Sequence, residues 1–161
     1  MTVHTRMDHY LKDHHIPYRR IVHRHSNSSL HSAHAAAVQP MHLAKGVVLE
    51  DHDGKHLMAI LPANAKVSLS VLNDEFQAKY HLVKERDIYQ MFDDCDRGAV
   101  PPLGSAYHMN MVCDSSLMEL DHVYLESGDH ETLIRLDKDA FNQLMEFSHS
   151  RKLRFGTELF H

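Results

Sequence analysis

Two apolar runs, Leu43 to Glu50 (LAKGVVLE) and Lys55 to Leu61 (KHLMAIL), flank the tetrapeptide Asp51-His52-Asp53-Gly54. A glycine at the end of so short a polar link supplies the positive φ that a tight turn requires, so the two runs are expected to pair as a β-hairpin. Pro62 closes the second strand because it cannot donate to a further ladder. This is the strongest local constraint on the fold.

The remaining segments read as helices and strands on either side of that hairpin. Val3, Met7, Tyr10 and Leu11 recur at helical spacing, and Ile16-Pro17 ends that helix. Tyr18 to His23 reads as a strand. SLHSAHAAAV, capped by Ser28 or Ser29 and stopped by Gln39-Pro40, is a helix whose small residues suit close packing on a sheet. Val67 to Phe76 has the spacing of a short helix, Tyr80 to Lys84 that of a strand, and Glu85 to Phe92 that of a helix with Ile88, Met91 and Phe92 on one side. Asp96 to Gly104 is a shaped loop, because Pro101 and Pro102 remove donors while Gly98 and Gly104 loosen the chain. Ala106 to Cys113, Val123 to Ser127 and Thr132 to Leu136 are expected as strands, with Gly128-Asp129 turning between the last two. Lys138 to Phe147 is an amphipathic helix. The organisation expected is one domain over residues 1–147 and a C-terminal tail over 148–161.

Composition narrows the function classes. A hydrophobic fraction of 43% fills a single core at this length. With 17 Lys+Arg against 22 Asp+Glu, the net charge of -5 disfavours broad nucleic-acid binding and confines any such contact to a local basic face. No run of about 18 apolar residues and no basic-then-apolar leader is present, so no membrane partner and a cytoplasmic location are expected. Cys95 and Cys113 lack CxxC spacing and are expected as reduced, inert thiols.

Several residues could carry chemistry. Lys45 lies inside an apolar strand, where a core-facing ammonium would be costly, so it either reaches solvent from an edge strand or points into a cleft. The Gly98 to Gly104 loop is either a tight connection or a set of exposed amides able to bind a carbonyl oxygen. His130, after Ser127-Gly128-Asp129, can face a pocket as donor or proton carrier, with Asp129 as its partner or as a turn-former. The 17 histidines invite a metal reading, with His23 and His25 or His31 and His34 as pairs sharing a face. There is no HExxH, cysteine cluster or carboxylate at diagnostic spacing, so no metal site and no cofactor are expected. No GxSxG elbow exists. The basic run Tyr18 to His25, with Arg19, Arg20 and Arg24, can meet a phosphate backbone or form a solvated strand face.

Taken in order, Ser28-Ser29 with its alanine-rich helix, Leu43-Ala44-Lys45-Gly46-Val47-Val48, Leu57 to Pro62, the loop Gly98-Ala99-Val100-Pro101-Pro102-Leu103-Gly104 and Ser127-Gly128-Asp129-His130 resemble the YbaK/ProX family of aminoacyl-tRNA deacylases, related to the editing domain of bacterial prolyl-tRNA synthetases. The loop fits the family's GxxxP motif with Gly98 and Pro102 in the fixed places. The resemblance implies an α/β (α+β) fold with a mixed, curved, partly barrel-like sheet flanked by helices. It implies a stand-alone hydrolase that cleaves the ester of mischarged aminoacyl-tRNA, with alanine, cysteine or proline as candidate amino acids. The acceptor end of tRNA is the implied partner, together with an aminoacyl-tRNA synthetase. By the same resemblance Lys45 contacts the terminal adenosine, Gly98 and neighbouring amides hold the aminoacyl carbonyl, and His130 lies near a pocket histidine. Ser28, Ser29, Ala99, Val100, Pro101, Pro102, Leu103 and Gly104 would line the substrate, and Arg19, Arg20 and Arg24 would touch tRNA. Gly46 stands where many relatives have threonine, and Asp96-Arg97 adds charge at the pocket mouth. The alternatives are a non-catalytic module that binds a nucleotide, an aminoacyl adenylate or a protein, and a histidine-rich metal-binding protein.

Overall fold

The structure, a computed structural model, describes residues 5–26 and 28–158. Val3, which the periodicity assigns to the first helix, and the last three residues of the expected tail lie outside the described residues. In chain order the elements are α1 (Arg6–Asp13), β1 (Arg19–Val22), α2 (Ser29–Ala35), β2 (Leu43–Glu50), β3 (His56–Pro62), β4 (Ala65–Val67), α3 (Leu69–Phe76), β5 (His81–Leu82), α4 (Glu85–Met91), β6 (Asn110–Asp114), α5 (Ser115–Met118), β7 (His122–Glu126), β8 (Thr132–Asp137), α6 (Lys138–Phe147), β9 (Arg151–Leu153) and β10 (Gly156–Glu158).

The hairpin forms the centre of a mixed sheet. Gly54 takes φ +81°, and the Asp51 carboxylate accepts from the amides of Asp53 and Lys55, both at 2.9 Å. The sheet runs β1-β8-β7-β2-β3-β6-β9, with β5 added to β2. The β2–β7, β3–β6 and β6–β9 pairs are parallel and the others antiparallel. This is the mixed α/β sheet flanked by helices that the resemblance implies; β1 and β9 are its two separate ends, so it does not close into a barrel.

Alternation along the strands divides the core between two faces. Ala44 and Val48 of β2, Met58 and Ile60 of β3, and Val123 and Leu125 of β7 pack with Met7 and Leu11 of α1 and with Phe141 and Leu144 of α6. On the other face Leu43 meets Ala33 of α2, while Leu49, Leu57 and Leu61 meet Leu72 of α3. The small residues of α2 thus allow the close approach that their size suggests.

Three sequence expectations change. The helix read to Val38 stops at Ala35, and Ala37 turns left-handed at φ 56° before Pro40. The strand expected over Ala106 to Cys113 begins at Asn110, because Gly104 to Tyr107 form a 3-10 turn and His108 takes φ 62°. That turn lets the Tyr107 hydroxyl donate to Asp94 at 3.1 Å. The segment expected as a tail adds β9 to the main sheet and pairs β10 with β4. Its Phe155 is buried among Leu49, Leu72 and Val112, and the buried Asp114 carboxylate accepts from the amides of Phe155 (3.0 Å) and Gly156 (2.6 Å).

Candidate functional site

The parallel pair β2–β7 is the starting point, because it is short. Leu43 pairs with Tyr124 and Ala44 with Leu125, and there the ladder stops. Further along the same edge, β5 joins β2 only at Leu49 and Glu50, and the Val83 amide donates to the Val48 carbonyl. Lys45, Gly46 and Val47 therefore have a strand on one side only, and a wedge opens between β2 and β7. One register step beyond Ala44–Leu125 stand Lys45 and Glu126, each on the α2 face of its strand.

The Gly98 to Gly104 loop bridges this wedge. At one end the Asp96 amide donates to the Gly128 carbonyl at 2.7 Å, just past β7. At the other end Pro102 lies over β2: a Cβ built on Gly46 would come within 3.2 Å of the Pro102 Cα and 2.9 Å of the Met58 Sδ. A glycine after Lys45 is thus required by loop packing. Ala99, Pro101, Pro102, Leu103 and Gly104 are buried and anchor the loop, Val100 is half-buried, and Gly98, at φ +82°, is exposed. The amides of Gly98 and Val100 have no acceptor among the described residues, leaving two donors in a fixed turn.

Lys45 is half-buried and its Nζ donates to the Ala63 carbonyl at 3.4 Å. Burial lowers its pKa from the ordinary lysine value. Among the described residues no carboxylate pairs with it, so the ammonium keeps its capacity for an external anion. Lys45 thus combines an unpaired stretch of the β2 edge with a half-buried side chain.

His130 holds the loop to the β7–β8 turn. Its ring is 3% exposed, and Nε2 lies 2.7 Å from the Arg97 carbonyl, so this nitrogen carries the proton and donates. Its Nδ1 is buried without a partner. Asp129 is a turn-former: its carboxylate accepts from the amides of Glu131 (2.8 Å) and Thr132 (2.7 Å).

Glu126 and Ser32 escaped the sequence reading. Glu126 is 4% exposed; it accepts a hydrogen bond from Ser32 Oγ at 3.1 Å, and its second oxygen is buried and unpartnered. Ser32 in turn lies 2.6 Å from Ser26 Oγ. Burial pushes the Glu126 carboxyl up to about 7, against the lowering effect of the Ser32 hydroxyl. The available signal was an acid in an otherwise apolar strand, His122–Glu126, the same signal that marked Lys45.

Not every expected residue gathers at the wedge. Ser28 caps α2, its hydroxyl accepting from the His31 amide at 3.2 Å, and Ser29 is the first helical residue. Arg20 is committed to Asp8 at 2.7 Å on the α1 face, while Arg19 is exposed and pairs across strands with Arg135. Arg24 borders a hollow of about 170 Å³ with His25, Ser26, His31 and His34. The three arginines therefore do not form one patch. A cleft of about 270 Å³ includes Tyr89, Phe92, Asp96, Arg97, Gly98 and Val100, on the α4 side of the loop; Lys45 does not line it.

The model of the aminoacyl-tRNA editing domain matches residues 23–144, which contain the wedge and its loop. The chain belongs to the aminoacyl-tRNA editing domain family. This editing domain matches no curated protein. Its fold recurs in solved structures: a hypothetical protein (TM-score 0.82, 15% identity, covering 94% of this chain and 99% of the other), a protein described as a candidate trans-editing enzyme for prolyl tRNA synthetase (0.77, 14%, 94% and 95%), and a candidate signal transduction protein from Marinobacter aquaeolei VT8 (0.76, 21%, 95% and 30%). At these identities the likeness is one of fold. Within the described residues of the editing domain, no helix is long and apolar enough to cross a membrane.

Proposed function

We propose that the protein is a stand-alone trans-editing deacylase that hydrolyses the ester of mischarged aminoacyl-tRNA in the cytoplasm. The observation that supports this reading is the wedge itself, where the β2–β7 ladder stops short of a half-buried Lys45 ammonium without a carboxylate partner, together with the loop that bridges it, which carries two unpaired amides at Gly98 and Val100. The Lys45 ammonium binds the phosphate or ribose of the terminal adenosine. The amides of Gly98 and Val100 hold the ester carbonyl oxygen and stabilise the oxyanion formed when water adds to the carbon. Collapse of that intermediate breaks the bond to the ribose oxygen, which takes up a proton, and releases the amino acid.

An aminoacyl ester is already activated, so positioning and carbonyl polarisation suffice without a protein nucleophile. The thiols agree with this assignment. Burial pushes Cys95 up to about 12 and raises Cys113 as well, so both stay protonated and unreactive at neutral pH. In this scheme His130 positions the Gly98 loop through the Arg97 carbonyl. The substrates are tRNAs charged with a small amino acid such as alanine, cysteine or proline. The fold shared with a candidate trans-editing enzyme for prolyl tRNA synthetase supports a synthetase as working partner.

Incubation with a panel of labelled aminoacyl-tRNAs tests the reading. Release of amino acid from at least one mischarged tRNA is expected; binding without release across the panel would leave a non-catalytic module instead.

A further inference from the structure

Outside the wedge, the fold brings together three side chains with metal-binding chemistry. His42 ends the 3-10 turn before β2, and Asp121 and His122 lie at the start of β7. Each offers one ligand atom such that all three lie within 4.8 Å of one another. The two imidazoles stack, with centroids 4.3 Å apart and planes 14° from parallel. His42 Nδ1 donates to the His122 carbonyl at 3.0 Å, which fixes its tautomer and leaves the Nε2 lone pair free. Such a backbone contact is the usual support of a metal-ligating histidine. His122 Nδ1 is buried and faces Asp121 Oδ1 at 2.7 Å. An imidazole and a carboxylate held side by side in this way can both turn toward one cation in place of each other.

We propose that His42, Asp121 and His122 form a binding site for a divalent transition metal of the zinc type, independent of the editing reaction. Two imidazoles and one carboxylate suit zinc rather than magnesium or calcium, which prefer oxygen. Bonds of about 2.0–2.2 Å put tetrahedral ligand atoms about 3.4 Å apart, so the Asp121–His122 contact of 2.7 Å must open slightly, and no pair, all lying within 4.8 Å, has to close far. His42 is only partly buried and the Asp121 side chain is 84% exposed, which leaves both free to turn. Three protein ligands leave a fourth position for water. Because His42 precedes β2 and Asp121 precedes β7, the ion would clamp the two parallel strands at the end opposite the wedge. Among the described residues, neither sequence pair His23/His25 nor His31/His34 gathers with a carboxylate into such a trio; His42 and His122 are 80 residues apart and become neighbours only through the parallel pairing.

The test is calorimetric titration of the untagged, chelator-stripped full chain with zinc chloride. The result expected is one site per chain, weakened at least tenfold in His42→Gln and in Asp121→Asn, with a zinc-induced rise in melting temperature that both variants lose. Both variants should melt like the parent without zinc, and His56→Gln, at a separate place where His56 and His81 lie 3.5 Å and 3.3 Å from the Glu50 carboxylate, should bind as the parent does. Equal zinc affinity in the parent and in both variants, or only weak uptake by several sites at once, would overturn the proposal. Deacylase activity is not the readout, so this outcome stands apart from that of the editing reading.

Discussion

Along β2, Ala44, Gly46 and Val48 face α1 and α6, whereas Leu43, Lys45, Val47 and Leu49 face α2 and α3. β7 repeats the division, with Val123 and Leu125 on the first face and His122, Tyr124 and Glu126 on the second. The first face is continuous apolar packing to which the Gly98 loop is anchored through Pro102 and Leu103. The second carries Lys45, Glu126 and the histidine pair. One period-two alternation therefore builds an apolar face that anchors the loop and, back to back with it, a face that carries the buried polar groups.

This contrast can be broken by substitution. Phe155→Ala removes an aromatic ring from the α3 side of the core and should cost about 3–5 kcal/mol, read as a fall in the urea midpoint. A loss below about 1 kcal/mol would mean that the C-terminal strands are an appendage. Glu126 tests the polar side through pH. Its folded pKa of about 7 lies above the ordinary glutamate value of 4.5, so the folded state holds the proton more tightly than the unfolded chain. Stability from this group is therefore complete below pH 4.5 and is lost as pH rises toward and through about 7, a change on the order of 3 kcal/mol. Glu126→Gln should flatten that slope in urea unfolding at pH 5 and pH 8, and an unchanged slope would contradict the assignment. Gly46→Val drives a side chain against Met58 and Pro102 and should cost about 1–3 kcal/mol. It should also impair deacylation by displacing the loop; full activity with a normal melting temperature would show that the loop does not need its seat on β2.

What was legible in the sequence was local. The hairpin is written in Asp51 to Gly54, where the turn's own carboxylate satisfies its amides, and the boundaries of β2 and α6 follow from short-range alternation and helical period. The failures come from partners far away in the chain. β9 has little pattern of its own and exists because β6 offers it an edge. The 3-10 turn at Gly104 is set by Met58, Met109 and Met111 closing on that glycine, which an apolar run alone does not reveal. The candidate site divides in the same way: Lys45 and Gly98 stand out as exceptions within their own segments, while the hydrogen-bond partner of Glu126, Ser32, lies 94 residues earlier and is brought to it only by the fold.

The smallest structural change is the most decisive functionally. Lys45→Ala removes a side chain that faces away from the α1/α6 core and contacts one carbonyl, so it should alter stability by no more than about 0.5 kcal/mol. Deacylation of the best mischarged tRNA found in the panel should nevertheless fall by about 100-fold, the scale of losing one transition-state or anchoring contact. Single-turnover release of labelled amino acid, measured for parent and Lys45→Ala at matched melting temperature, reads this directly. A folded variant that has lost turnover is the predicted result, and a folded variant with undiminished turnover would contradict the placement of the active site in the wedge.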